Sequence, residues 1–138
     1  MNAGAASWLA RWAPWRRADA LPARWVVLDV ESTGLDPDRD RLVAVAAVAV
    51  HLRDGMPEVA LSDSFETVLR GSHERGSARP ADRADILVHG IGLGEMRAGR
   101  APDEALRDFA AWAGDAPRLG FHVAFDRRLI ERAERAHL

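Results

Sequence analysis

The chain of 138 residues is long enough for one domain and too short for two. Its net charge of −2 argues against a protein that coats long stretches of duplex, which would carry excess positive charge. The absence of cysteine excludes a disulfide framework and a thiolate metal site, and it fits a cytoplasmic location. No apolar run approaches the roughly 20 residues that a membrane helix needs, so we expect no membrane association.

The first 22 residues are expected to form an N-terminal arm, with the remaining residues 23–138 as one domain. The arm carries three tryptophans at helical spacing with arginines beside them: Trp8, Trp12, Trp15, Arg11, Arg16 and Arg17. This pattern is typical of a helix that binds a partner, such as a polymerase or another protein. It also fits an arm that packs its tryptophans on its own domain, because exposed Trp is unfavourable.

Three strands follow the arm. Residues 25–30 are almost continuously apolar, which is typical of a central strand covered on both faces. A turn rich in Ser, Thr, Gly, Asp and Pro occupies residues 31–40. Strands are predicted over 42–52 and 59–69, and Asp54-Gly55 between them indicates a hairpin.

The second half of the chain predicts helices around one further strand. Residues 70–85 are typical of a loop, and residues 82–96 give a poor helical signal. Residues 102–113 begin with Pro, carry acids in the first turn and precede Gly114, a clear helix pattern. A fourth strand is predicted over 118–123, and a helix from Asp126 onward. The order β-β-β-α-β-α predicts a mixed α/β fold.

Two carboxylates stand at the end of the first strand. Asp29 and Glu31 are two residues apart, so they project from the same side of it. Held close together, two such charges repel each other, and a divalent cation removes that penalty. Oxygen ligands favour Mg²⁺ or Mn²⁺ over zinc. The alternative is an ordinary pair of solvated acids at a strand exit.

A third carboxylate, Asp126, lies just past the fourth strand. As the N-cap of the last helix it would satisfy free backbone N–H groups. If the fourth strand lies beside the first, Asp126 would instead join Asp29 and Glu31 as a metal ligand. Both interpretations remain open on spacing alone.

Three segments resemble the motifs of the DEDD 3′–5′ exonucleases. Residues 26–50 (VVLDVESTGLDPDRDRLVAVAAVAV) are similar to the first motif. Val88-His89-Gly90-Ile91 and the helix after Pro102 are similar to the middle of the group that includes the epsilon subunit of bacterial DNA polymerase III. Residues 120–126 (GFHVAFD) resemble the second motif, usually written G-H-N-x-x-F-D, with His122 interpreted as its structural His.

The resemblance implies a ribonuclease H-like fold, a mixed sheet with helices on both faces, and two divalent ions, Mg²⁺ or Mn²⁺. It implies that Asp29 bridges both ions, that Glu31 binds one, and that Asp126 serves the other. It also implies a substrate-binding role for Ser32, Thr33, Gly34, Leu35 and His122 at the 3′ end of single-stranded DNA or RNA. The implied reaction hydrolyses the last phosphodiester and releases a nucleoside 5′-monophosphate.

The third motif of the family, a His followed five residues later by an Asp, is absent from the 138 residues. We therefore expect the chain to be a C-terminally incomplete exonuclease domain with weak activity or none. The alternative is a non-catalytic module of the same fold that binds nucleic acid or protein.

Overall fold

A computed structural model of the protein describes residues 21–71 and 90–138. Its strands are β1 (Arg24–Ser32), β2 (Leu42–Arg53), β3 (Met56–Val68) and β4 (Arg118–Leu119). Its helices are α1 (Leu93–Ala98), α2 (Pro102–Ala113) and α3 (Val123–His137). The predicted tryptophan arm, apart from residues 21 and 22, and the predicted His89 motif lie outside the described residues, so the domain boundary at 22/23 stays a prediction.

The four strands form one sheet in the order β3-β2-β1-β4. Strand β1 pairs antiparallel with β2 and parallel with β4. The predicted hairpin is confirmed: Arg53 pairs with Met56, and the two residues between them have positive φ, 52° at Asp54 and 78° at Gly55. A two-residue turn of type I′ requires positive φ at both central residues, and its twist matches that of the flanking strands.

One face of the sheet carries the core. Alternate residues of β1 (Val26, Leu28 and Val30) are buried in the same cluster as Phe109 of α2 and Leu129 of α3. Both long helices therefore pack on this face. An aromatic group strengthens the contact, with the Phe65 ring 5.5 Å from that of Phe109 and 5.7 Å from that of Trp112.

The opposite face of the sheet is open within the described residues. Val27 is 38% exposed, and Val59 and Leu61 on the edge strand are 58% and 79% exposed. The covering of β1 on both faces, expected from its apolar run, is thus not found there, and the expected helices of the second face are not among the residues described. No helix in the described ranges is long and apolar enough to cross a membrane.

The last strand and the last helix have boundaries other than those predicted. The fourth strand was expected over 118–123 but spans only Arg118 and Leu119, and α3 begins at Val123 rather than at Asp126. The carbonyl of His122 already accepts a hydrogen bond from the backbone N–H of Phe125, so the turn after Gly120 is helical and not extended. Within α3, Nε of Arg127 lies 2.6 Å from Oε1 of Glu131, an ion pair at i,i+4 spacing.

Candidate active site

Strand β1 places Asp29 and Glu31 on the open face of the sheet. Asp29 pairs in register with Ala46 and Glu31 with Ala44, whereas the residues between them along β1 point into the core. Asp29 is exposed and Glu31 is half-buried. The register between β1 and β2 shifts just after Glu31, and such irregularities often re-aim side chains next to active sites. The prediction that both acids share one side of β1 is confirmed.

The third acid, Asp126, reaches the same region because β4 lies beside β1. The two strands run parallel, with Val26 opposite Arg118, so their carboxyl ends meet at one edge of the sheet. Gly120 follows β4 there and has no side chain. A Cβ at this position would lie 2.6 Å from Oδ2 of Asp126 and 3.4 Å from the carbonyl oxygen of Leu28. The carboxylate of Asp126 therefore packs directly against the β4 exit, close to β1.

Asp126 is not a helix cap. It lies in the first turn of α3, whose N-cap is His122, and only 2% of the residue is exposed. Its backbone N–H donates to the carbonyl of His122 at 3.2 Å. The side chain turns inward, so the interpretation of Asp126 as an N-cap is wrong.

Burial and the neighbouring negative charge of Asp29 raise the pKa of Asp126 from 3.8 to about 6, while His122 lowers it. The Oδ2 atom of Asp126 is buried and has no hydrogen-bond partner. A buried carboxylate oxygen without a donor is unfavourable, since such groups are almost always satisfied in folded proteins. The ionised form of Asp126 is therefore disfavoured by burial and by Asp29, and His122 offsets this only in part.

The structure brings Asp29 and Asp126 into electrostatic contact, but it does not complete a ligand set. Among the described residues, no group of three or more His, Asp or Glu side chains is arranged to hold a metal ion. Glu31, the third predicted ligand, is next along the open face but does not join the other two in such a group. Asp29 and Asp126 are therefore the two predicted ligands whose charges interact in this fold.

The loop after β1 is organised by a buried acid, Asp40. Its carboxylate accepts a hydrogen bond from the Thr33 hydroxyl at 3.1 Å and another from the Asp36 backbone N–H at 2.9 Å. The loop closes with the backbone N–H of Thr33 donating to the carbonyl of Arg41. A Cβ at Gly34 would lie 2.5 Å from Oδ2 of Asp40, so only glycine fits there.

In this loop the side chain of Leu35 is exposed, whereas the hydroxyl groups of Ser32 and Thr33 make hydrogen bonds within the loop. Leu35 is 92% exposed, whereas Thr33 is 4% exposed. The Thr33 hydroxyl also accepts from the backbone N–H of Arg41, and the Ser32 hydroxyl donates to the carbonyl of Gly34. Of the residues predicted to bind substrate in this loop, Leu35 alone offers a free side chain. Any contact from Ser32, Thr33 or Gly34 would come from the backbone.

His122 is exposed at the start of α3, beside the predicted metal ligand Asp126. The seven residues from Gly120 to Asp126 match the seven positions of G-H-N-x-x-F-D when the first Gly and the last Asp are aligned. In that register Phe121 stands at the position of the motif's His, and His122 stands at its Asn. The assignment of His122 to the motif's His is therefore corrected by one residue.

Two arginines that no motif indicated dock the loop onto α3. Arg128 donates to Oδ1 of Asp38 at 2.8 Å, and Arg132 donates to the carbonyl of Pro37 at 2.7 Å. They are separated from their partners by 90 and 95 residues along the chain. Their i,i+4 spacing on the helix was the available signal, because it places both on one helical face.

No family model matches the chain. Known sequences that it resembles are DNA polymerases III of the PolC type. The protein from Staphylococcus saprophyticus is 33% identical over 115 residues, 82% of this chain, and that from Staphylococcus epidermidis is 31% identical over 111 residues, 79% of this chain. The chain spans about 7% of the length of these polymerases.

Solved structures with the same fold are those of exonuclease I. The product-bound enzyme superposes with a TM-score of 0.66 at 16% identity, covering 85% of this chain and 26% of the enzyme. The Escherichia coli enzyme in complex with a dT13 oligonucleotide gives a TM-score of 0.68 at 18% identity, covering 84% of this chain and 24% of the enzyme. The predicted ribonuclease H-like mixed sheet is confirmed by this fold. The polymerase relatives and the shared fold confirm the resemblance to the DEDD 3′–5′ exonucleases that the motifs indicated.

Proposed function

We propose that the chain binds the 3′ end of a single-stranded nucleic acid through divalent cations held by Asp29, Glu31 and Asp126, as part of a 3′–5′ exonuclease domain. The observation that carries the proposal is the buried, unpartnered Oδ2 of Asp126, which faces the charge of Asp29. Such an arrangement costs folding free energy unless a cation compensates it. A strongly perturbed carboxylate beside a second acid is typical of functional sites.

The donor atoms of this site fit Mg²⁺ or Mn²⁺. All three candidate ligands are carboxylates, and hard oxygen donors suit these ions better than zinc. When bound, such ions lower the pKa of a water and stabilise a leaving oxygen during phosphodiester hydrolysis. Two ions, as in the complete family site, would need the further ligand that the third motif supplies.

The residues of this chain prepare the site for an ion and a strand end. Gly120 lets the carboxylate of Asp126 lie against the β4 exit, because any side chain there would occupy the position of Oδ2. Asp40 holds the loop after β1 through its hydrogen bonds to Thr33 and Asp36, and Leu35 is exposed in that loop. Leu35 would contact the terminal nucleotide, since an exposed apolar side chain can pack on a base or sugar.

The solved structures that share this fold support a single-stranded ligand. The solved exonuclease I structures include complexes with a dT13 oligonucleotide and with single-stranded DNA. Another is a complex of exonuclease I with the C-terminal segment of SSB. The relatives of the PolC type are polymerases. We propose DNA or RNA ends as ligands, and a polymerase or another protein as a partner of the arm in residues 1–22.

The direct test is metal-dependent binding of a 3′-labelled single-stranded oligonucleotide by the 138-residue chain, measured by fluorescence anisotropy. We expect binding in millimolar Mn²⁺ that is lost with EDTA and with Asp29→Asn. The matched control is Asp108→Asn, an exposed acid of α2 that is paired with Arg100. Equal binding by wild type and Asp29→Asn, or binding unaffected by EDTA, would contradict the proposal.

Hydrolysis itself is expected to be slow in this chain, because no His followed five residues later by Asp occurs in it. Digestion of the labelled strand at rates usual for exonucleases, abolished by Asp29→Ala, would show that a general base is supplied from elsewhere. Binding without hydrolysis is the result we expect.

A second candidate function is a non-catalytic module of the same fold. The observation that favours it is that the described residues assemble two acids and not a complete set of three. The two functions differ in their need for metal. A module would bind nucleic acid or protein equally well with EDTA present, and Asp126→Asn would leave its affinity unchanged.

A further inference from the structure

The open face of the sheet carries two apolar rows at the amino end of β1. Trp25 pairs in register with Val50, and Val50 pairs with Val59. Val27 and Val48 are register partners in the next row. Trp25 and Val27 alternate along β1 with residues of the core, and directly opposite strand residues share a face. Both rows therefore lie on the open face, and we call these five side chains the apolar patch.

The apolar patch is separate from the acids of the candidate active site. Val27 is 38% exposed and Val59 is 58% exposed, and the other three members are half-buried. Asp29 follows Trp25 by four residues, about 13 Å at the rise per residue of a strand. The patch thus occupies the amino half of this face, and the acids occupy the carboxyl half.

The chain enters β1 from the side of the sheet on which the patch lies. The indole N–H of Trp25 donates to the carbonyl of Pro22 at 2.9 Å. Because the Trp25 side chain belongs to the patch, this hydrogen bond holds Pro22 on the open side of the sheet. Leu21, next to it, is 62% exposed. The segment of residues 1–20 therefore joins the domain beside the patch.

We propose that residues 1–20 dock on the apolar patch of their own domain, with Trp8, Trp12 and Trp15 in contact with it. The spacing of these tryptophans places them on one face of a helix, where the stripe from Trp8 to Trp15 would be about 10 Å long. The row of the patch that crosses β1, β2 and β3 is also about 10 Å long, at the usual distance between strands. Docking removes the indole rings and the exposed valines from water together.

The charges of the two surfaces are complementary. Residues 1–20 contain three arginines and one aspartate, so the segment is positively charged. The open face carries Asp29, Glu31 and Glu66, the last of which pairs with Ala46 beside Asp29. Among the residues that the structure describes, no strand position on this face is an arginine. The basic arm therefore fits this face better than an acidic segment would.

This inference goes beyond the proposed function, since it requires neither an ion nor a strand end. The patch lies apart from the acids, so the docked arm leaves the candidate metal ligands accessible. A protein partner of the arm would bind the arm in this docked position.

The test uses the full 138-residue chain, which has five tryptophans and no cysteine. Ser64→Cys introduces a nitroxide spin label on the open face, because Ser64 is exposed and pairs with Val48. All tryptophans are replaced by 5-fluorotryptophan, and each fluorine NMR signal is assigned by a Trp→Phe substitution. Trp25 is the internal reference for the open face, and Trp112 of α2 is the reference for the other face.

The label at Ser64→Cys should remove the signals of the three arm tryptophans together with that of Trp25, and reduction of the nitroxide should restore them. The control label at Arg107→Cys, an exposed position of α2, should leave the arm signals in place. Arm signals that the Ser64→Cys label does not change, or that both labels weaken equally, would overturn the proposal.

Val59→Glu and Leu138→Glu are matched variants, since both side chains are 58% exposed in the wild type. Only Val59 belongs to the apolar patch. In the chain labelled at Ser64→Cys, Val59→Glu should restore the arm signals and Leu138→Glu should not. The signal of Trp112 checks that both variants stay folded. An equal loss of arm signals in the two variants would show that the patch does not hold the arm.

A mixed sample distinguishes docking within one chain from docking between two copies. Spin-labelled chain without fluorine is combined with fluorinated chain without a label, and the arm signals should remain. Their loss in the mixture would assign the apolar patch to the arm of a second copy and would overturn docking on the same domain.

Discussion

Two aspartates of this fold, Asp63 and Asp126, have opposite surroundings. Asp63 lies in the irregular part of β3, where its carboxylate accepts hydrogen bonds from Nε and Nη2 of Arg24 at 2.9 and 3.0 Å and from the Trp112 indole N–H at 2.9 Å. His51 Nε2 is 3.1 Å from its Oδ2. The hydrogen bond from Arg24, followed by those from His51 and Trp112, lowers the pKa of Asp63 to about 2. Asp126 has a buried oxygen without a partner and a pKa raised to about 6.

The fold gives the carboxylate of Asp63 hydrogen-bond donors, and it leaves a buried oxygen of Asp126 without a partner. Asp63 joins β1, β2, β3 and α2, and every one of its contacts favours the ionised form. Asp126 sits where the ionised form is disfavoured by burial and by Asp29. Strongly perturbed carboxylates cluster at functional sites, which supports the proposed cation site at Asp126. The paired acid Asp63 stabilises the protein, and the unsatisfied oxygen of Asp126 is expected to destabilise it when no ion is bound.

The largest expected effect is on metal-linked stability. Wild type should gain about 2.7 kcal/mol at a Mn²⁺ concentration 100 times its dissociation constant, because the ion binds the folded state alone. Asp126→Asn should gain almost none of this, whereas Asp108→Asn should gain as much as wild type. The measurement is the free energy of unfolding in urea with and without Mn²⁺. If Mn²⁺ raised the free energy of unfolding of Asp126→Asn as much as that of wild type, Asp126 would not be a ligand of the ion.

Without divalent ions, Asp126→Asn should be more stable than wild type at pH 7 by about 1–3 kcal/mol, given the difference between a pKa of 3.8 in the unfolded chain and about 6 in the folded one. The sign follows from the raised pKa: the folded state holds the proton more tightly. Wild-type stability should therefore fall as pH rises from about 4 to about 6, and the variant should not show this fall. Urea unfolding across that range in EDTA checks it, and a wild-type curve that rises there would contradict it.

Replacing Asp63 is expected to change stability in the opposite direction from replacing Asp126. Asp63→Asn should lower the free energy of unfolding at pH 7 by about 1–2 kcal/mol, a value discounted because the side chain is 31% exposed. Its lowered pKa means that this stability is present above about pH 4 and is lost as pH falls towards 2. Glu58→Gln, in an exposed pair with Arg53, is the control and should change little. A stabilised Asp63→Asn would show that this cluster is not structural.

The smallest expected effect is at the loop contact made by Arg128 with Asp38. Both side chains are more than half exposed, so Arg128→Ala should cost at most about 1 kcal/mol, and less at high salt. Arg107→Ala, which breaks an exposed i,i+4 pair with Asp103, is the matched control. We expect Arg128→Ala alone to weaken oligonucleotide binding, by a few-fold, because it loosens the loop that presents Leu35. Equal binding by both variants would show that the loop needs no tether.

Local patterns in the sequence predicted much of the fold. Turn propensity predicted the hairpin at Asp54-Gly55, and the start and stop signals of a helix predicted the helix over 102–113. Strand alternation predicted that Asp29 and Glu31 share one side of β1. The boundaries after residue 118 were missed, because Phe121, Val123 and Phe125 have strand-like propensity while the backbone after Gly120 already forms helical hydrogen bonds. The cluster around Asp63 could not be predicted, since its partners lie 12 to 49 residues away along the chain.

The sequence by itself determined which acids share a strand and which motifs they belong to, because the direction of a side chain within one element depends only on local periodicity. The tertiary structure alone decided that the charge of Asp29 acts on Asp126, that Asp63 has several donors, and that Phe121 remains exposed. Those facts depend on the parallel pairing of β1 with β4 and on the packing of α2 and α3, which bring distant parts of the chain together. The packing of distant elements sets the surroundings of each carboxylate, and these surroundings lower the pKa of Asp63 and raise that of Asp126.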